Sequence, residues 1–286
     1  MSLLKYFLTL QHWSIIGLLF LIGILFIYFL KWKTNRNQKL FFVVGVCSIY
    51  LVLGSPLAEF KAFGLHSIAM FQQIILLMVG PIWILRGLPS TLFKNTVFGK
   101  LSIFDHPKDY LLLTLVAASV VMWGGHFLNA AMVASKSGMF ESGIHAGQEK
   151  WLSAVPFWPM YILFFVTGFL FALPVFHPEK GKRLHPVKSV IYLFTACVSC
   201  SILGLYITFM ASSPSVTNNF QMFSDPNHLI SITPKTDQEI AGLLMWVPGC
   251  ILYVISSMGL LLPWYDSTLS SYKKQKELNH HLKKSF

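Results

Sequence analysis

Seven long apolar stretches run along this chain, and the lysines and arginines between them are sorted onto alternate connections. The stretches are Trp13 to Leu30, Leu40 to Leu57, His66 to Leu85, Tyr110 to Leu128, Pro156 to Phe176, Ser189 to Ala211 and Ile240 to Trp264. Each is about 18 to 25 residues, long enough as a helix to cross about 30 Å of hydrocarbon. The side reached after the first stretch holds Lys31, Lys33, Arg36 and Lys39, then Arg86, Lys94, Lys100 and Lys108. It also holds Lys180, Lys182, Arg183 and Lys188, and finally Lys273, Lys274, Lys276, Lys283 and Lys284. The opposite side holds only Lys5, Lys61, Lys136, Lys150 and Lys235. Basic residues in short connections stay on the cytoplasmic side. The expected fold is therefore an all-α integral membrane protein, a bundle of seven transmembrane helices with its N-terminus outside and its C-terminus cytoplasmic. Residues 1–268 form the membrane domain in this reading, and 269–286 a basic cytoplasmic tail.

Composition agrees, with 55% hydrophobic and only 12% charged residues. The formal net charge of +11 is a topology signal first. Its clusters face anionic inner-leaflet lipid, so no nucleic-acid partner is needed to explain them. Lys5 stands alone before the first stretch and no small-residue cleavage site follows, so no cleavable signal is expected. Cys47, Cys197, Cys200 and Cys250 all fall inside apolar stretches, which argues against a disulfide framework. No internal repeat is visible, and an odd number of stretches disfavours inverted transporter halves. No Asp, Glu, Lys or Arg lies in the core of any stretch, which weighs against pumps, charge-coupled transporters and voltage sensors. The usual soluble-enzyme signatures are missing too, so the chain is read as a non-enzyme.

Connections carry further expectations. The segment Arg86 to Asp109 is amphipathic in places, through Leu88, Leu92, Phe93, Phe98, Leu101 and Phe104, and is expected along the headgroups. Two outer connections, Asn129 to Val155 and Ser212 to Glu239, are long enough to be partly ordered caps over the outer mouth. Thr236-Asp237-Gln238-Glu239 reads as a capping box opening the last helix. Within that helix, Pro248 removes a backbone bond and is expected to kink it. Trp13, Trp32, Trp83, Trp123, Trp151, Trp158 and Trp264 fall near interfaces, where amphipathic rings prefer to sit.

Candidate chemistry concentrates at the outer half. His66 and Met70 are four apart at the outer end of the third stretch, and Met122 and His126 are four apart at the outer end of the fourth. An i, i+4 pair projects both side chains to one face. Imidazole with thioether is a soft donor set suited to Cu(I). Met160, Met210 and Met245 sit at comparable depth, while Met139, His145, Met222 and His228 lie in the outer connections. The candidate metal ligands are His66, Met70, Met122, His126, Met160 and Met245. The plainer alternative is that methionines fill apolar gaps and interfacial histidines bond a carbonyl or headgroup. Cys197-x-x-Cys200 reads either as a buried Cu(I) or redox pair or as small residues for close packing. Gln72 and Gln73 are amides deep in an apolar span, so at least one must face the interior. Gln72 would support the site only by pointing toward His66 and Met70.

With these residues in view, the chain resembles the CtaG family of cytochrome c oxidase assembly factors, bacterial seven-helix proteins associated with copper insertion into haem-copper oxidases. The segment Asp237-Gln238-Glu239-Ile240-Ala241-Gly242-Leu243-Leu244-Met245-Trp246-Val247-Pro248-Gly249 is similar to the family's D-Q-x-x-x-G-x-x-M-W-x-P-G. Ser55-Pro56-Leu57, Gln72 with Pro81 and Gly87-Leu88-Pro89, His126, and Thr167-Gly168 to Pro174-Val175 are further matches. The chain departs from the family where a His-Met-x-x-[His/Met] pattern falls on Ala69, Met70, Gln73 and Ile74, and where Glu-His falls on Met160 and Tyr161. His66 lies one turn outward of Ala69 on the same face. The resemblance implies an assembly factor in the bacterial cell membrane that assists copper delivery to a terminal oxidase subunit, with a copper donor protein as a further partner. A metal-free scaffold for an oxidase subunit and a copper permease stand as the alternatives.

Overall fold

The computed structural model describes residues 9–58, 65–95, 106–136, 158–209 and 233–284. Among them the chain is helical, with no strand. Seven longer helices follow in order: α1 (Ile15–Lys31), α2 (Arg36–Leu53), α3 (His66–Gly87), α4 (Leu111–Lys136), α5 (Trp158–Phe176), α6 (Pro186–Phe209) and α7 (Pro234–Lys284). From α2 to α7, six are long and apolar enough to cross a membrane, while α1 is an apolar helix of 17 residues. Side chains around the outside are apolar and exposed, among them Ile16 at 82% and Phe20 at 71%, as lipid contact requires.

Contacts between helix ends fix an up-and-down order. At one end, Ser14 N donates to Gly54 O at 2.8 Å, and His66 and His126 bring the start of α3 to α4. At the other, Tyr28 Oη donates to Gly87 O at 2.7 Å, Lys108 Nζ donates to Gly181 O at 2.9 Å, and His185 meets Trp264 with ring centroids 5.6 Å apart. This second end carries Lys31, Arg36, Arg86, Lys108 and Arg183, so the sorted cations do gather at one end of the bundle.

Helix α3 is the axis, with Ala69, Met70, Gln72, Gln73, Ile74, Leu76, Leu77 and Met78 all buried. Pro81 has no N–H to give Leu77, and the ladder ahead of it widens into a π turn over Ile75–Val79, where Gly80 N donates to Ile75 O. Gly168 of α5 lies directly against the Leu77 carbonyl, where no Cβ would fit. Helices α6 and α7 approach in the same way, Gly204 against Trp246 and Gly242 against Thr208. Such small-residue contacts replace a hydrophobic driving force that lipid does not supply.

Two expectations are corrected. Phe93, in a short helix (Ser90–Asn95), is not spread along headgroups but is 5% exposed in the core, with its ring 5.0 Å from that of His177. A large apolar ring gains more by covering the end of α5 than by lying at a wet interface. Phe98, Leu101 and Phe104 lie outside the described residues. The last helix also opens earlier than the capping box placed it. Pro234 occupies the first turn and Thr233 is the cap, its Oγ1 accepting from Thr236 N at 3.1 Å. Helix α7 then continues through Pro248 and Pro263 and through the basic tail to Lys284.

Candidate functional site

The first turn of α3 is held from across the bundle. Asp237 of α7, 2% exposed, accepts from His66 N at 2.6 Å and from Ser67 N at 3.2 Å, and the Ser67 hydroxyl donates to the same carboxylate. The opening N–H groups of a helix have no partner within it, and an anion there also meets the positive end of the helix dipole. Leu65, the residue at the cap position, has no side chain able to do this. Gln238, next to Asp237, donates from Nε2 to Ile207 O at 2.8 Å and ties α7 to α6. Sequence reasoning assigned Asp237 to its own helix; its service to α3 carries no local signal.

Fixing this turn places His66 and Met70. His126 arrives from α4 with Nδ1 3.3 Å from Met70 Sδ, and its ring meets that of His66 edge to face at 5.0 Å between centroids. Met70 is fully buried and His126 is 4% exposed. The two i, i+4 pairs thus meet at one depth, and three of the six candidate ligands form a group.

The remaining three sit elsewhere around it. Met122 is buried one turn inward, and its carbonyl accepts from Gln73 Nε2 at 2.9 Å. Met160 packs with Leu76 and Phe164 in a separate cluster. Met245 is buried on α7, and its carbonyl accepts from Cys200 Sγ at 3.0 Å. Met210, Met139, His145, Met222 and His228 lie outside the described residues.

Of the two amides, Gln73 rather than Gln72 backs the group. Gln72 turns away, donating to Val52 O at 2.8 Å and accepting from Tyr161 Oη at 3.2 Å. Gln73 bridges α3 to α4 beneath Met70 and His126, and its buried Oε1 has no partner among the described residues. Cys197 and Cys200 do not form a facing pair. Cys197 Sγ lies 3.1 Å from Cys250 Sγ on α7, while Cys200 points to Met245 O, because residues three apart on α6 meet α7 at different heights. The described residues contain no group of three His, Cys, Asp or Glu side chains able to hold a metal ion. The side chains gathered at the first turn of α3 are instead two imidazoles and one thioether.

The family model for the cytochrome c oxidase caa3 assembly factor (Caa3_CtaG) matches residues 18–267. No curated protein and no solved structure matches the chain.

Proposed function

The chain thus belongs to the family of cytochrome c oxidase caa3 assembly factors, and we propose that it serves a haem-copper oxidase by carrying Cu(I) at the outer face of a bacterial membrane. In this reading all seven helices span, the amino end and the His66–His126 group face outward, and the cation-rich end faces the cytoplasm, as the positive-inside rule requires. Copper is cargo, received from a donor protein and passed to an oxidase subunit, and the chain itself catalyses nothing.

One observation supports the copper reading above the others: His126 Nδ1 and Met70 Sδ stand 3.3 Å apart beside His66. Metal bonds of about 2.0 Å to imidazole and about 2.3 Å to sulfur, the lengths common at protein sites, let two donors at that separation share one ion. Neutral nitrogen and thioether donors suit a soft monovalent cation and leave its charge uncompensated. An ion held that way is released to a partner offering thiolates.

Titration of the purified chain with Cu(I) against a chromophoric chelator under reducing conditions tests this. One ion per chain, lost in the His66→Ala plus His126→Ala variant and weakened about tenfold or more in Met70→Leu, is the expected result. Absent binding, or binding untouched by these changes, refutes it. The metal-free scaffold would then stand, and it has its own support in Gln73, an amide where the family pattern has a soft ligand.

A further inference from the structure

At the opposite, cation-rich end two arginines attach to consecutive residues, with no counter-ion among the described residues. Arg86 closes α3 with its guanidinium centred 5.4 Å from the Phe41 ring and 5.0 Å from the Phe176 ring. It lies over Gly259 of α7, where an added Cβ would stand 3.9 Å from an Arg86 Nη. Arg183, in the turn between α5 and α6, spends its Nε on His177 O at 2.5 Å. Phe176 and His177 are consecutive, so the two arginines attach to neighbouring residues at the end of α5. Among the described residues neither makes an ion pair; the acid of that turn, Glu179, is taken by Lys182 at 3.7 Å.

We propose that Arg86 and Arg183 form a binding site for a phosphate oxyanion at the basic end of the bundle. The aromatic faces hold the Arg86 plane in place, and neither that stacking nor the single carbonyl bond of Arg183 uses the N–H groups at the ends of the two forks. A guanidinium fork matches two phosphate oxygens at once, which a lysine ammonium cannot do. Two guanidinium groups held on consecutive residues gather positive charge at one place, which favours an anion there. Burial also pulls Arg183 below its ordinary pKa, the direction expected of a cation removed from water. The phosphate belongs either to an anionic lipid headgroup or to a free phosphate ion, and basic pockets between membrane helices suit the former.

The test uses the full chain in a neutral detergent. Native mass spectrometry counts retained phosphatidylglycerol, and melting curves are recorded with and without millimolar inorganic phosphate. The wild type should retain one phosphatidylglycerol in preference to phosphatidylcholine, and Arg86→Gln with Arg183→Gln should weaken retention about tenfold or more. Lys188→Gln, an exposed cation nearby, should leave it unchanged. Retention that survives phosphate assigns the site to lipid; displacement by phosphate, with a higher melting temperature in the wild type alone, assigns it to the free ion. Equal loss in Lys188→Gln, or equal retention in the double variant, overturns the proposal. Should the double variant fail to fold, Arg183→Lys keeps the charge, loses the fork, and should still weaken retention several-fold.

Discussion

Truncating Asp237 is the sharpest test of how the outer end is built. In Asp237→Ala the N–H groups of His66 and Ser67 and the Ser67 hydroxyl lose their acceptor. Ser67 is 7% exposed, so its amide is stranded away from water, at about 1–3 kcal/mol. His66 is half-buried and recovers part of its bond from solvent. The carboxylate's interaction with the α3 dipole, up to about 2 kcal/mol in a partly buried setting, goes as well. Together these amount to about 3 kcal/mol, which for a chain of this size lowers the melting temperature by about 6–12 °C. Asp237→Asn keeps one carbonyl acceptor and loses the charge, so its cost is about 1 kcal/mol. The assay is a thermal melt of the detergent-purified chain, followed by tryptophan fluorescence, paired with the Cu(I) titration. Copper affinity should fall in the same order, Ala more than Asn, because the turn that frays carries His66. An Asp237→Ala chain that melts within about 2 °C of wild type and holds copper equally would refute the reasoning, since the carboxylate would then hold nothing in place.

Other outcomes follow from contacts already described. Gly168→Ala drives a methyl into the Leu77 carbonyl and should cost more than about 2 kcal/mol or prevent folding, whereas Gly23→Ala, with nothing within 4 Å, should be neutral or slightly stabilising by melt. Mild thiol oxidation should join Cys197 to Cys250, whose sulfurs need only close from 3.1 Å to about 2.0 Å, and leave Cys200 free by mass mapping. Tyr161→Phe removes the hydroxyl that reaches Gln72 and should cost about 0.6–1.7 kcal/mol by melt while leaving copper binding unchanged.

Much of the fold was legible because lipid writes a strong pattern. The apolar runs located every long helix, and cation sorting matched the end at which Arg86, Lys108 and Arg183 gather. Helix limits were less legible. Hydropathy reports where hydrocarbon begins, not where a backbone stops being helical, so α4 continues to Lys136 through an alanine-rich segment and α7 to Lys284 through polar helix-forming residues. Phe93 was misplaced because an apolar residue in a short amphipathic segment has the same local pattern whether it meets headgroups or a neighbouring helix. At the site, the i, i+4 spacing of His66 with Met70 and of Met122 with His126 announced shared faces. It could not say that Gln73, not Gln72, would face α4, since adjacent residues differ by 100° and the facing helix was unknown.

The segment from Asp237 onward holds the bundle together at its outer end. Asp237 closes the start of α3, Gln238 binds the α6 carbonyl of Ile207, and Gly242 lets α6 come within backbone distance at Thr208. Each member joins α7 to a different neighbour or a different height, and their combined effect is to set the first turn of α3 in place. Metal-capable side chains need only be mounted on that turn. With the turn fixed, the His66 ring is held facing that of His126. A frame held this firmly brings the His66 and His126 imidazoles and the Met70 thioether together at the first turn of α3.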